Sequence, residues 1–223
     1  MSQIQTDFDR LAAFSTDGWD HNSHYHNFLL RHLPPRLDSA LDVGCGTGTF
    51  SRRLAKRSDR VLGIDLSPEM IRRARERSHA YPNIEYEIAD VMTQELGAER
   101  FDCIASIAAL HHLLFGEILA KLKHALKPNG TLLVLDLFEG QGITDPMNWL
   151  APPTSIAMQF IKTGHVRKSA EERAAWDEHG KHELYLTMAQ IKQTCSRILP
   201  GAQVRQHLLW RYSIVWSKDA NSP

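Results

Sequence analysis

Three glycines alternate at positions 44, 46 and 48, directly after the run Leu41-Asp42-Val43 and just before a helical pattern opens at Phe50. A strand that enters a helix through Gly-x-Gly-x-Gly makes a tight turn. It brings bare backbone to the helix N-terminus, so a ligand with a ribose or a polar tail can lie on the main chain. Carboxylates accompany the turn. Asp42 stands two residues ahead of the first glycine. Asp65 ends the second strand, where a carboxylate can accept both hydroxyls of a ribose. Asp90 ends the third, close to where the base of a bound nucleoside would present an amino group. Asp42 and Asp90 could also shape turns or cap helices. His111 and His112 follow the fourth strand, at the edge where a base could take a proton from an acceptor molecule. They could equally open a helix with no part in chemistry.

These residues need a scaffold that lines up strand tips. The pattern predicts strands at 39–44, 60–66, 84–90, 101–109 and 130–138, with helices at 50–57, 68–78 and 115–126 between them. Ser67 is a good helix cap and Pro68 a good first helical residue. Five apolar strands joined by helical crossovers imply an α/β, doubly wound parallel sheet covered on both faces. A further helix is expected at 20–33, ending at Pro34-Pro35. After Phe138 the rhythm breaks. Residues 139–183 read as an insertion with short helices at 154–164 and 169–180, the second capped by Ser169 with Glu172 at the capping-box position. A helix at 186–199 and two closing strands, 202–210 and 211–218, complete a single domain over 1–223. Residues 1–35 form its helical cap and 139–183 its lid.

Composition narrows the partners. Lys+Arg and Asp+Glu both number 26 in 223 residues, so net charge is zero, which argues against a protein held on nucleic acid by phosphate contacts. No apolar run reaches the roughly 18 residues a membrane span requires. The first ten residues lack the basic-then-apolar pattern of a signal peptide. Cys45, Cys103 and Cys195 have neither metal spacing nor even pairing, which points to the cytoplasm.

Taken in order, the stretches DVGCGTG (42–48), GIDLSPEM (63–70), ADV (89–91) and LKPNGTL (126–132) resemble the successive motifs of class I S-adenosylmethionine-dependent methyltransferases. The resemblance spans about residues 38–138 and points to the small-molecule branch that includes ubiquinone and menaquinone methyltransferases. It implies a Rossmann-like, mostly parallel seven-stranded sheet with an antiparallel last strand, and S-adenosyl-L-methionine as cofactor. By the resemblance, Gly44, Cys45, Gly46 and Gly48 line the methionine part of the cofactor, and Asp42 orders that loop or reaches the amino group. Asp65 binds the ribose, with Leu66 and Met70 against the adenine. Asp90 accepts from the adenine amino group beside Val91, and Ser106 and Ile107 touch the methionine portion. In this family an N-terminal helix commonly caps the cofactor, so Tyr25 is placed to meet the sulfonium by cation–π contact, or simply to pack. Trp19 is a second candidate. A nicotinamide-binding fingerprint would be G-x-G-x-x-G, with the third glycine one residue later than here. A catalytically silent cofactor-binding sensor or scaffold is the alternative from another class.

Methyl transfer is an in-line displacement, and a base is needed only if the acceptor must lose a proton. His111 is the first choice for that base. His165, Arg167 and His179 are further candidates from the insertion. Trp149, Met158, Phe160 and Trp176 suggest an aromatic or apolar small-molecule acceptor, or else they are the insertion's own core. His24 and His26 would point about 160° apart on one helix, so they are expected at the surface and not on a metal.

Overall fold

The computed structural model describes residues 3–15, 18–140, 169–180 and 185–220. The helix expected at 154–164, and Trp149, Met158, Phe160, His165 and Arg167, lie outside them. The described elements run α1 (Gln3–Ala12), α2 (His26–Leu30), β1 (Leu37–Val43), α3 (Thr49–Leu54), β2 (Ser58–Asp65), α4 (Pro68–Arg77), β3 (Ile84–Ile88), β4 (Phe101–Ile107), α5 (Phe115–Ala125), β5 (Leu126–Leu137), α6 (Ala170–Gly180), α7 (Met188–Ile198), β6 (Gln203–His207) and β7 (Arg211–Ser217). Short 3-10 turns occupy Ser23–Tyr25 and Leu110–His112.

Among the described residues seven strands form one sheet in the order β3-β2-β1-β4-β5-β7-β6. β1 to β5 pair in parallel, and β7 runs antiparallel between β5 and β6. Successive side chains on a strand face opposite ways, and β5 shows it. Leu132 and Val134 join Ile118, Leu122 and Ile191 on one face, while Leu133 and Leu135 join Leu29, Phe50 and Leu54 on the other. The chain leaves β1 toward β2 on one side and returns to β4 on the other. The strand order therefore reverses at the β1/β4 boundary, where a crevice opens beyond the strand tips.

Local chemistry fixes the helix starts. Ser67 Oγ accepts from the Met70 N–H (3.0 Å) at α4, and Thr187 and Gln190 form a capping box at α7. Ser169 caps α6 by accepting from the Glu172 N–H (3.0 Å).

Three expectations change. The helix expected over 20–33 is helical only across 23–30, because Asp20 and Ser23 close a turn (Ser23 N–H to Asp20 Oδ1, 2.6 Å) that tightens its start. β5 begins at Leu126, so the turn at 127–130 becomes an irregularity within the strand, where the register shifts between Phe101 and Cys103. α1 was not foreseen, although Ile4, Phe8, Leu11 and Ala12 have the spacing of one helix face. Leu11 and Ala12 are buried, with Met70 of α4 and Ala175 of α6 in the same cluster.

The turn after β1 leaves no space for a side chain at its last glycine. Gly48 has φ +77°, and a Cβ there would lie 2.2 Å from Tyr86 Oη, which is itself 2.9 Å from Ser78 Oγ. Gly48→Ala should therefore destabilise the protein by about 2–4 kcal/mol, summing left-handed strain and overpacking. Urea denaturation measures it, and a change below about 0.5 kcal/mol would show that the loop relaxes freely.

Candidate active site

Two adjoining cavities open along the carboxyl edge of the sheet. The first, about 680 Å³, lies over the tips of β1, β2 and β4. Its size is that of a small-ligand site. Gly44 and Gly46 form part of its wall, with Asp65, Leu66 and Met70 from the β2–α4 turn, Asp90 and Val91 after β3, and Ile107 ending β4. Ile4 and Phe8 of α1 close it from the N-terminal side. The second cavity, about 510 Å³, is lined largely by aromatic and histidine side chains, among them Trp19, His111, His179 and Tyr185. The two share Phe8, Asn22, Ala108, His112 and Trp176. Ala108, at the common boundary, holds φ +54°, a strained backbone of the kind found at functional sites.

The floor of the first cavity is organised by Asp65. Its Oδ2 accepts from the Gly46 N–H (2.8 Å) and its Oδ1 from the Ser67 N–H (2.9 Å). Burial pushes this carboxyl up, and the backbone N–H groups of Ser67 and Gly46 pull it back. Each carboxylate oxygen keeps a lone pair for a further donor. Asp90 Oδ1 accepts from the Met92 N–H (2.8 Å), which shapes the turn after β3 and keeps Asp90 at the rim.

The glycines divide by role. A Cβ on Gly44 would lie 2.4 Å from the Ala109 Cβ, so that glycine lets the loop after β4 approach, as Gly48 does for Tyr86. A Cβ on Gly46 would meet nothing within 4 Å. Gly46 lines the cavity at φ +51°, leaving bare main chain where a ligand can lie.

Four expected site residues are placed elsewhere. Asp42 is buried beneath the loop and accepts from Ser51 Oγ (2.6 Å), which leaves its loop-ordering role and removes it from the cleft wall. Cys45 packs into the cluster of Ile71, Ala74 and Tyr86, away from the cleft, and burial pushes its thiol up. Ser106 is wholly buried and donates to the Val43 carbonyl (3.0 Å), tying β4 to β1. Tyr25 donates its hydroxyl to the Leu208 carbonyl (2.9 Å) and packs against His207, so the cap over the cleft comes from α1 instead. His26 is also buried, against Phe50, and desolvation lowers it to about 4; the expectation of a surface histidine fails there.

In the second cavity the decisive partner is Asp136, a residue the sequence analysis did not single out. Asp136 is fully buried at the end of β5. Its Oδ2 accepts from the His111 N–H (3.0 Å), and its Oδ1 lies 2.5 Å from His111 Nδ1. A carboxylate there keeps the proton on Nδ1 and the lone pair on Nε2. The signal was legible as an acid inside the otherwise apolar run 132–137, beside Asp42 and Asp65 in theirs. His179 of α6 joins from the lid, with Nδ1 3.4 Å from Asp7 Oδ2 and its ring 4.9 Å from Phe8.

Residues 40–130 match the methyltransferase domain family. An uncharacterized methyltransferase of Mycobacterium tuberculosis is 31% identical over 202 residues, covering 89% of this chain and 96% of that one. The chain belongs to the class I S-adenosylmethionine-dependent methyltransferases. A ubiquinone biosynthesis O-methyltransferase of Xylella fastidiosa is similar over a shorter stretch, 33% identical over 147 residues and 58% of each chain. Among solved structures, an S-adenosylmethionine-dependent methyltransferase from Aquifex aeolicus shares the fold at a TM-score of 0.59 and 17% identity, over 94% of this chain and 97% of that one.

The residues of this methyltransferase fit its cofactor. Open main chain at Gly46, an acceptor pair on Asp65, and an apolar stretch of wall contributed by Leu66, Met70 and Val91 meet the needs of a tail, a ribose and a base. Asp65→Ala should weaken binding of S-adenosylhomocysteine about 10- to 100-fold by calorimetry. Unchanged affinity would remove Asp65 from the site.

Asp42 gives the site a pH signature. Burial raises its carboxyl from an ordinary 3.8 to about 7, against the opposing hydrogen bond from Ser51. The folded state therefore holds a proton that the unfolded chain releases. Its stabilising effect is complete below pH 3.8 and is lost as pH rises to about 7. Asp42→Asn should flatten the fall in unfolding free energy across that window relative to wild type. Parallel curves for the two proteins would assign the titration to another group.

Proposed function

We propose that this methyltransferase takes a small organic acceptor into the second cavity and methylates an atom that bears a proton, with His111 as the general base. The observation that carries this reading is the pairing of His111 with the buried Asp136. An acceptor with no proton to lose would have no use for a histidine so held.

Asp65 would hold the ribose, Asp90 the amino group of the adenine, and Leu66, Met70 and Val91 its faces, while Gly44, Gly46 and Ile107 would lie along the methionine portion. When bound, S-adenosylmethionine supplies a methyl carbon on a sulfonium, open to in-line displacement. The chain's own part is to hold the acceptor against that carbon, exclude water with α1 and α6, and receive the proton on Nε2 of His111. Asp136 orients the imidazole and steadies the charge it gains. The aromatic lining supports a planar, aromatic acceptor. The three cysteines, all unpaired and buried, support a reducing, cytoplasmic setting.

His111→Ala should lower kcat by about 10²-fold or more while leaving the affinity for S-adenosylhomocysteine intact, and should abolish the acid limb of the pH–rate profile. Asp136→Asn should lower kcat in the same direction, because an amide no longer enforces the Nδ1–H tautomer. An unaltered profile in His111→Ala would retire the base.

A further inference from the structure

A third cavity, about 620 Å³, lies at the opposite end of the sheet from the two already described. Its wall comes from the end of α2, the turn that leads into β1, and the turn between α3 and β2. Both turns precede parallel strands, so they stand at the amino edge. The seven residues of β1, at about 3.3 Å each, put roughly 20 Å of sheet between this cavity and the glycine turn. Arg31, Lys56 and Arg57 line it, and among the described residues no carboxylate does.

These cations are open to a ligand. Arg57 Nη1 donates to the Leu30 carbonyl (2.8 Å), and Arg53 Nη1 beside it donates to Oδ1 of Asn27 on the lining (2.9 Å). Each guanidinium keeps further N–H groups. Arg31 and Lys56 are exposed, and among the described residues their side chains make no hydrogen bond or ion pair. Between residues 21 and 64 seven Lys and Arg face three Asp and no Glu. Those acids are engaged elsewhere: Asp59 pairs with Arg36 (3.2 Å), Asp38 lies 3.8 Å from Lys127, and Asp42 is buried on Ser51. The carboxyl end of α2 would by itself repel an anion, and Arg57 covers its Leu30 carbonyl. Leu33 and Pro35 add an apolar stretch of wall beside the charges.

We propose that this cavity binds a small molecule carrying a phosphate ester, with the phosphate held by Arg31, Lys56 and Arg57 and the organic body against Leu33 and Pro35. A phosphate monoester brings close to two negative charges and three acceptor oxygens, which guanidinium forks and an ammonium answer together. A carboxylate, with one charge, would leave most of this cluster unmatched. The concave shape and the apolar wall suit a small molecule better than a lipid surface, and the zero net charge of the chain disfavours a nucleic-acid backbone. The site stands apart from methyl transfer and does not depend on the role given to His111.

The test uses the full chain saturated with S-adenosylhomocysteine, which fills the cofactor cleft, and reads binding by calorimetry. Phenyl phosphate should bind. The double variant Arg31→Ala/Lys56→Ala should bind it about 10- to 100-fold more weakly. Both side chains are exposed, and an unchanged affinity for S-adenosylhomocysteine shows that the variant is folded. Arg36→Ala, a cation outside the cavity, should bind phenyl phosphate as wild type does. Inorganic phosphate, which lacks the organic body, should bind more weakly than phenyl phosphate. Phosphatidylglycerol vesicles and a short DNA duplex offer phosphate on a lipid surface and on a nucleic acid, and neither should displace phenyl phosphate. The proposal falls if phenyl phosphate does not bind or the double variant keeps its affinity. It also falls if Arg36→Ala loses as much, if inorganic phosphate binds as tightly, or if vesicles or duplex displace the probe.

Discussion

One hydrogen bond, from the Gly46 N–H to Asp65 Oδ2 at 2.8 Å, ties the turn after β1 to the tip of β2, and the site is organised around it. The same carboxylate accepts from the Ser67 N–H, so a single side chain fixes the entries to both α3 and α4. Ser67 in turn caps α4 and donates to Asp9 of α1 (2.5 Å). A continuous polar chain thus runs from the glycine turn through Asp65 and Ser67 to the helix that covers the cleft. Within the turn, the Gly44 and Cys45 N–H groups donate to the Ile64 carbonyl and the Gly48 N–H to the Cys45 carbonyl, while Gly46 donates to Asp65.

The chain's balanced net charge hides a local imbalance. Asp42 and Asp65 lie near enough for Asp65 to raise Asp42 further, and both are pushed up chiefly by burial. Asp90 and Glu117 stand on the lining of the same cleft. A cationic ligand arriving there favours the ionised form of these acids and relieves their repulsion, which makes a sulfonium nucleoside a better match than an anionic dinucleotide. The second cavity carries a different provision, aromatic side chains around an imidazole held by the buried carboxylate of Asp136.

Much of the scaffold was legible in the sequence because strand–helix alternation, Ser67-Pro68 and the glycine turn are local signals. The wall of the first cavity was largely legible too, since Gly44, Gly46, Asp65 and Asp90 sit at strand tips by position alone. What escaped depended on direction or on distance along the chain. Asp42 and Asp65 look alike in sequence, but side chains alternate along a strand, and only Asp65 comes to the cleft. Cys45 and Gly48 turn toward Tyr86, a residue 38 or more positions away that nothing local announces. The helix that closes the cleft is α1, one segment earlier than the helix beside Tyr25. The apolar spacing of Ile4, Phe8 and Leu11 carries that information within an otherwise polar N-terminal stretch. Asp136 meets His111 only when β4 and β5 are paired, and Arg211 joins the same edge only when β7 pairs with β5, a contact across more than seventy residues.

The central claim is that the bare turn at Gly46 and the carboxylate of Asp65 together receive the cofactor. A crystal structure of the protein with S-adenosylhomocysteine tests it most directly. The ribose hydroxyls should lie within hydrogen-bonding distance of Asp65, and the amino-acid tail against the main chain of Gly46. A nucleoside bound elsewhere, or one in this cleft that leaves Asp65 untouched, would contradict the account.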